Sequence, residues 1–292
     1  MEDKGFLKKI TGKLPKLPNN TIEKLKPIKE KMQAKMPFLV EKTKYCLRFL
    51  FVFFLRLFRK VVFKANNIDI ELRKRIITSI VFVSILLFAI AVGQIVYNLF
   101  ITLVGIAMCF EAIKICKNIT DEKRKILTRK IAVIYIVIFA FSLMMIRNFG
   151  QGFKITLWMF LVVWGVDTFA YIFGKKYGKI KLAPAISPGK TYEGAIFGSV
   201  SGLLISMLLY TSFYTGSQSS FSGISFFIFS VIVVVISQLG DLAESYIKRL
   251  CGVKDSGKFL PGHGGVCDRF DSLIFVAPFV FFIVLVNGRT LF

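Results

Sequence analysis

From about residue 76 onward, long apolar runs alternate with short polar segments that hold most of the local charge. A hydrocarbon layer about 30 Å thick is crossed by roughly 20 helical residues at about 1.5 Å each. Seven runs have that character or approach it, at approximately Ile76–Ala91, Gly93–Ile115, Ile131–Ile146, Ile155–Phe173, Ala195–Tyr210, Ile224–Leu239 and Leu273–Val286. Only Gly93, Gln94, Tyr97 and Asn98 separate the first two, so the pattern allows two spans or one bent element; two spans fit better. The pattern predicts an all-α, polytopic integral membrane helical bundle of about seven transmembrane helices, or eight to nine if half-helices such as one near 211–223 are counted.

Charge supports the same count. Orientation must alternate, and short cytosolic loops carry the lysines and arginines. With the N-terminus inside, the inner loops hold Lys114–Lys130, Lys175–Lys190 and Lys248–Arg269, whereas 92–98 and 211–223 carry no charge. Residues 1–75 hold 20 Lys and Arg against 7 Asp and Glu. Such a block suits anionic membrane lipids, at roughly 1 kcal/mol per cation near the surface. It divides the chain into a basic N-terminal cytosolic or interfacial region, 1–72, and a membrane-embedded domain, 73–292. Within the first, 38–63 reads as a basic interfacial helix or as a partly disordered tail.

The whole chain of 292 residues is 55% hydrophobic with a net charge of +23. Its mean hydropathy of +0.65 argues against a water-soluble enzyme. No aromatic-basic recognition motif accompanies the charge, so nucleic acid is not expected as a partner. Cys46, Cys109, Cys116, Cys251 and Cys267 form no C-x-x-C pair and read as reduced thiols. Met1–Asn20 is polar and lysine-rich, unlike a cleavable signal peptide.

The chemistry is sought in polar residues that stay within apolar spans, because a carboxylate at a helix centre costs roughly 2.5–3.5 kcal/mol. Asp167, Tyr171 and Gly174 share one helix face at i, i+4 and i+7. Asp167 reads as a cavity-lining residue, or as an interhelical hydrogen-bonding one. After it, Lys175, Ser187, Lys190, Thr191 and Glu193 lie in a segment rich in glycine and lysine, which suits a polyphosphate or simply flanks the membrane. Pro188-Gly-Lys-Thr191 lacks the complete P-loop pattern.

The densest constellation, 237–272, carries five acids and five bases. Continuing the sixth run as a helix sets Asp241, Ser245 and Lys248 on one side with Glu244 beside them. Starting the seventh near Val266 puts Asp268 and Asp271 in its first turn. Two helix ends then offer carboxylates to one point. Oxygen ligands without clustered His or Cys select a hard cation such as Mg²⁺, which takes one or two carboxylates plus substrate phosphates. Lys248, Arg249, Lys254, Lys258 and Arg269 can neutralise charge in phosphoryl or nucleotidyl transfer, and Gly264 and Gly265 let the loop approach phosphate. Asp255 lies in the same loop. His263 fits a phosphate or base contact, or a loop organiser, better than a general base, since a phosphate monoester is largely ionised at neutral pH.

The run S-x-I-K-R-x-x-x-x-K-D-x-G-x-x-L-P-x-H-G-G-V-x-D-R-F-D, Ser245 to Asp271, resembles the signature of the phosphatidate cytidylyltransferase family. D-T-F-A-Y-I-F-G-K at 167–175, S-P-G-K-T-Y-E-G at 187–194 and G-D-L-A-E-S at 240–245 are similar to further elements of that family. Gly189 departs from the lysine usual there, and residues 1–72 match nothing in the family core. The resemblance implies an all-helical membrane enzyme that joins CTP and phosphatidate into CDP-diacylglycerol and pyrophosphate. It implies Asp241 and Asp268 as Mg²⁺ ligands, with K⁺ able to serve as a second ion, and it is compatible with a homodimer. The expected location is a bacterial inner (plasma) membrane, with the N-terminus and the active site cytosolic. The alternatives are a related membrane nucleotidyl- or phosphotransferase with another lipid acceptor, and a secondary transporter. Against the transporter, 237–272 has no second copy in the N-terminal half.

Overall fold

The computed structural model describes residues 70–213, 221–257, 259, 264–288 and 291–292, with side chains from Ile77 onward. The helix or tail expected over 38–63 lies outside the described residues, as do Lys258 and His263.

The described chain runs α1 (Ile70–Val92), α2 (Gln94–Cys116), α3 (Glu122–Asn148), α4 (Gly152–Tyr177), β1 (Lys181–Ala183), β2 (Ser187–Thr191), α5 (Tyr192–Phe213), α6 (Gly223–Leu250), α7 (Cys267–Phe270) and α8 (Leu273–Val286). Five helices, α2 to α6, are long and apolar enough to cross a membrane; Ile77–Val92 and Leu273–Val286 are shorter apolar helices. This is an all-α, multi-pass membrane protein. Each apolar run of the sequence became a helix, because a backbone in hydrocarbon must satisfy its own hydrogen bonds. Large apolar side chains such as Leu99, Phe110, Ile134, Leu204 and Phe282 remain on the outside, where lipid is their solvent.

The first two runs are separate helices. Gly93 breaks them at φ 151°, a backbone conformation reserved for glycine, and its carbonyl restarts the ladder by accepting from Tyr97 N at 3.1 Å. Near this end Arg147 is buried and donates to Ile90 O, an end carbonyl of α1, at 2.8 Å. Asp121 caps the N-terminus of α3 by accepting from Lys123 N at 2.9 Å.

Helices α4 and α5 pack in tight contact, and small residues explain it. Gly194, Gly198, Gly202 and Ser206 recur every fourth position on the buried face of α5. A Cβ on Gly198 would meet Val166 O at 2.7 Å, and one on Gly194 would meet Ala170 O at 2.6 Å. Here van der Waals contact with the partner backbone replaces a hydrophobic driving force. At its other end α5 is tied to α4 by Trp158 Nε1, which donates to Ser206 Oγ at 2.9 Å.

Between α4 and α5 the lysine-rich segment forms an antiparallel hairpin, with Lys181 opposite Thr191 and Ala183 opposite Ser187. α6 has 28 residues. At about 1.5 Å each it is longer than the hydrocarbon layer, so its last turns extend into the polar zone.

Candidate active site

Two cavities meet at the end of the bundle that carries the hairpin. The larger, about 600 Å³, lies between α4, the hairpin, α5 and α6 and is lined by Asp167, Tyr171, Lys175, Lys181, Ser187, Gly189, Lys190, Thr191 and Asp241, among others. The smaller, about 420 Å³, is bounded by α1, α4, α6 and the α7–α8 corner, with Asp167, Asp241, Asp268, Arg269 and Asp271 on its walls beside Thr78, Ser79, Phe82 and Trp164. Asp167 and Asp241 line both. One chamber is therefore rich in lysine and glycine, the other in carboxylates, and they share a wall.

Helix geometry places these groups. Asp167, Tyr171 and Gly174 lie on the face of α4 turned to the larger cavity. Asp241 on α6 forms an ion pair with Lys190 of β2. Two turns further, Lys248 is ion-paired to Glu244 at 2.6 Å and bonds Asp268 Oδ1 at 2.8 Å. Asp268 collects three backbone contacts as well: Gly265 N donates to Oδ2 at 2.7 Å, and Ser256 N lies 3.2 Å from Oδ1 and 3.0 Å from Oδ2. Burial disfavours the charge of Asp268, but Lys248 and the Gly265 and Ser256 amides outweigh it and hold its carboxyl below the usual range. Asp271 behaves oppositely: burial, then the charge of Asp241, pushes it up to about 7. Ser272 Oγ lies 3.3 Å from both oxygens of Asp167.

The remaining predicted residues hold the frame. Arg249 lines neither cavity; its Nε donates to Ile186 O and its Nη1 to Val253 O, both at 3.2 Å, joining the hairpin to the loop after α6. Glu193 accepts from Ile180 N at 3.3 Å, closing the hairpin base. Thr191 is buried and its Oγ1 accepts from Gly194 N at 3.2 Å, at the start of α5. Gly264 takes φ 80° beside Asp268. Lys254 and Asp255 are exposed on that loop, and Ser245 is half-buried on α6 away from both cavities.

One residue escaped the sequence reading. Glu111, buried in α2, accepts from Val266 N at 2.9 Å, Cys267 N at 2.9 Å and Ser256 Oγ at 3.0 Å. Its signal was the one that exposed Asp167: a carboxylate inside an apolar run.

Among the described residues no three His, Cys, Asp or Glu side chains cluster closely enough to cage an ion by themselves. That is compatible with Mg²⁺, which is commonly held by one or two carboxylates completed by substrate phosphates and water. The donors are hard oxygens, and four carboxylates, Asp167, Asp241, Asp268 and Asp271, face one cavity.

Residues 116–286 match the cytidylyltransferase family. The phosphatidate cytidylyltransferase of Rickettsia prowazekii (strain Madrid E) is 39% identical over 213 residues, 72% of this chain and 90% of that protein. That of Bacillus subtilis (strain 168) is 43% identical over 155 residues, 53% of this chain and 56% of the relative. That of Haemophilus influenzae is 45% identical over 133 residues, 44% of this chain and 45% of the relative. The chain belongs to the cytidylyltransferase family.

Proposed function

We propose that the two adjoining cavities are where this enzyme joins its substrates. It is a phosphatidate cytidylyltransferase: it takes CTP and phosphatidate and releases CDP-diacylglycerol and pyrophosphate. An oxygen of the lipid phosphate attacks the α-phosphorus of CTP, a new P–O–P bond forms, and the bond to the β-phosphate breaks as pyrophosphate departs. The phosphate monoester is already ionised, so no side chain has to remove a proton from it.

The single observation that carries the site assignment is the pair of carboxylates, Asp167 and Asp241, common to a lysine-lined and an acid-lined chamber. The triphosphate suits the larger cavity, where Lys175, Lys181 and Lys190 supply charge and Gly189 leaves the backbone open. The lipid phosphate suits the smaller one, which opens beside the apolar helix α1 and offers Arg269. Acyl chains can then stay in the bilayer while the headgroup reaches the shared wall. Asp241 and Asp268 would hold Mg²⁺ there, which when bound supplies charge stabilisation for the phosphoryl oxygens. The lysines that grip these two carboxylates keep them aimed at the cavity until substrate arrives.

The lysine-rich loops at the site end favour a cytosolic active site in a bacterial inner membrane, by the positive-inside rule. The test is turnover in detergent with CTP, dCTP, UTP or ATP, each with phosphatidate. CDP-diacylglycerol formed with CTP is the expected result; no CTP-dependent product, or equal use of ATP, would refute the reading.

A further inference from the structure

We propose that Glu111 is a positioning residue for this reaction: from α2 it fixes the Gly264–Asp268 turn and thereby sets the direction of the Asp268 carboxylate. The proposal rests on the cytidylyltransferase reading above and adds to it a residue that never touches substrate.

Glu111 is 7% exposed, within a helix apolar enough to cross the membrane. A carboxylate there is expensive unless its oxygens are fully bonded. Its three donors all come from one distant stretch of chain. Oε1 accepts from Val266 N, while Oε2 accepts from Cys267 N and Ser256 Oγ. None of these donors is charged, and among the described residues Glu111 has no ion pair. It is given over to the turn that carries Asp268.

The two carboxylates hold that turn between them, sharing donors residue by residue. Ser256 gives its hydroxyl to Glu111 and its N–H to Asp268. Gly265 N goes to Asp268, and the next two amides, Val266 and Cys267, go to Glu111. The backbone sits directly on the Glu111 carboxylate, for a Cβ on Gly265 would run into it and into Ser256 Oγ, and one on Gly257 would stand 2.6 Å from Oε1. Cys267 N, held by Glu111, directly precedes Asp268, so any shift at Glu111 passes to Asp268 through a single residue. Misplacing a reacting group by about 1 Å can cost about 100-fold in rate, and losing the partner that orients a ligand typically costs about 10- to 100-fold.

Glu111→Gln tests this, because the amide keeps one acceptor and turns an NH₂ toward a donor, leaving at least one bond broken. In the full-length detergent-solubilised protein, kcat should fall about 10- to 100-fold. The KM for CTP should stay within about 3-fold, since the lysine-lined cavity is untouched. Deuterium uptake should rise in peptides covering residues 264–268 and not in peptides from α5. The comparator is Ser206→Ala, which breaks the buried bond to Trp158, about 13 Å along α4 from Asp167; it should lower Tm and leave kcat unchanged. A Glu111→Gln protein with wild-type kcat, or one whose lost turnover is wholly explained by fewer folded molecules, overturns the proposal. If Glu111→Gln does not fold, Ser256→Ala decides: faster exchange at 264–268 with reduced kcat supports it, and unchanged exchange with wild-type kcat overturns it. Absence of CTP-dependent turnover in the wild type refutes the functional reading instead, and the exchange measurement then judges Glu111 alone.

Discussion

Neutralising Asp241 or Asp268 is the sharpest residue-scale test of the site, because neither change strands a buried cation, although an amide at Asp268 gives up at least one backbone donor. In Asp268→Asn, Lys248 keeps its 2.6 Å partner Glu244, so no buried cation is orphaned. In Asp241→Asn, Lys190 is released from a position about a quarter exposed and can turn toward water. Per folded molecule, counted by Tm and yield, each variant should lose about 100-fold or more of its turnover, the scale expected when a carboxylate that holds the cation is removed. Wild-type turnover in both would dismiss them as Mg²⁺ ligands. Arg249 tests a different role. Its two bonds to backbone carbonyls hold the hairpin to the loop after α6, and lysine cannot reproduce that fork. Arg249→Lys should raise the KM for CTP about 3- to 10-fold with kcat nearly kept, the loss of roughly 1 kcal/mol of hairpin anchoring. The carboxylates were legible in sequence because charge inside or beside an apolar helix is costly and must be explained. Glu111 carried the same signal, but its meaning depended on donors 145 to 156 residues away, which no local pattern reveals. Arg249 was read as a charge-neutralising catalytic residue and Glu193 as a substrate contact; sequence shows their charge, but not the backbone groups they also bond.

At the scale of elements, the stripe of small residues on α5 determines how near the hairpin and Lys190 come to Asp167. Gly198→Ala places a methyl group 2.7 Å from Val166 O and 2.8 Å from Ala170 Cβ, so α5 must move off α4. The expected cost is about 1–3 kcal/mol, the usual range for overpacking, read as a lower Tm in detergent. Gly150→Ala is the matched control: a Cβ there meets nothing within 4 Å, and Tm should be unchanged. Equal melting of the two variants would show that close α4–α5 contact is not what sets the packing. The helices themselves were legible because length and apolarity suffice for them in a membrane. The hairpin was not. Its strands have three and five residues, with Lys, Pro and Gly where alternation would be read. What makes them pair is tertiary: Glu193 closing the base, Arg249 holding Ile186 and Thr191 buried beneath. The C-terminal segment was read as one helix from Val266; it is a four-residue α7 followed by α8, with Asp271 and Ser272 between them keeping right-handed helical dihedrals, so Asp268 and Asp271, at i and i+3, line one cavity.

At the scale of the molecule, charge is segregated more sharply than catalysis alone requires. Residues 1–69 carry 17 Lys and Arg against 6 Asp and Glu, a net +11 within the +23 of the whole chain. The family match begins at residue 116, and the described residues that line both cavities lie in α1 and the elements after it. We expect two separate tasks: a catalytic bundle, and a basic segment suited to anionic headgroups at roughly 1 kcal/mol per cation close to the surface. The substrate phosphatidate is itself anionic, so a segment that gathers such lipids would raise its local concentration without contributing to the chemistry. Deleting 1–69 should therefore leave kcat in detergent micelles within about 2-fold, and raise the apparent KM for phosphatidate in vesicles at low salt. The difference should fade as ionic strength rises, because surface electrostatics are screened over about 8 Å at physiological salt and about 3 Å at 1 M. A peptide of residues 1–69 should sediment with vesicles rich in phosphatidylserine and not with neutral phosphatidylcholine vesicles. Loss of all detergent activity on deletion would place the segment inside the catalytic fold, and salt-independent sedimentation would assign its membrane affinity to Phe38–Phe63 rather than to its charge.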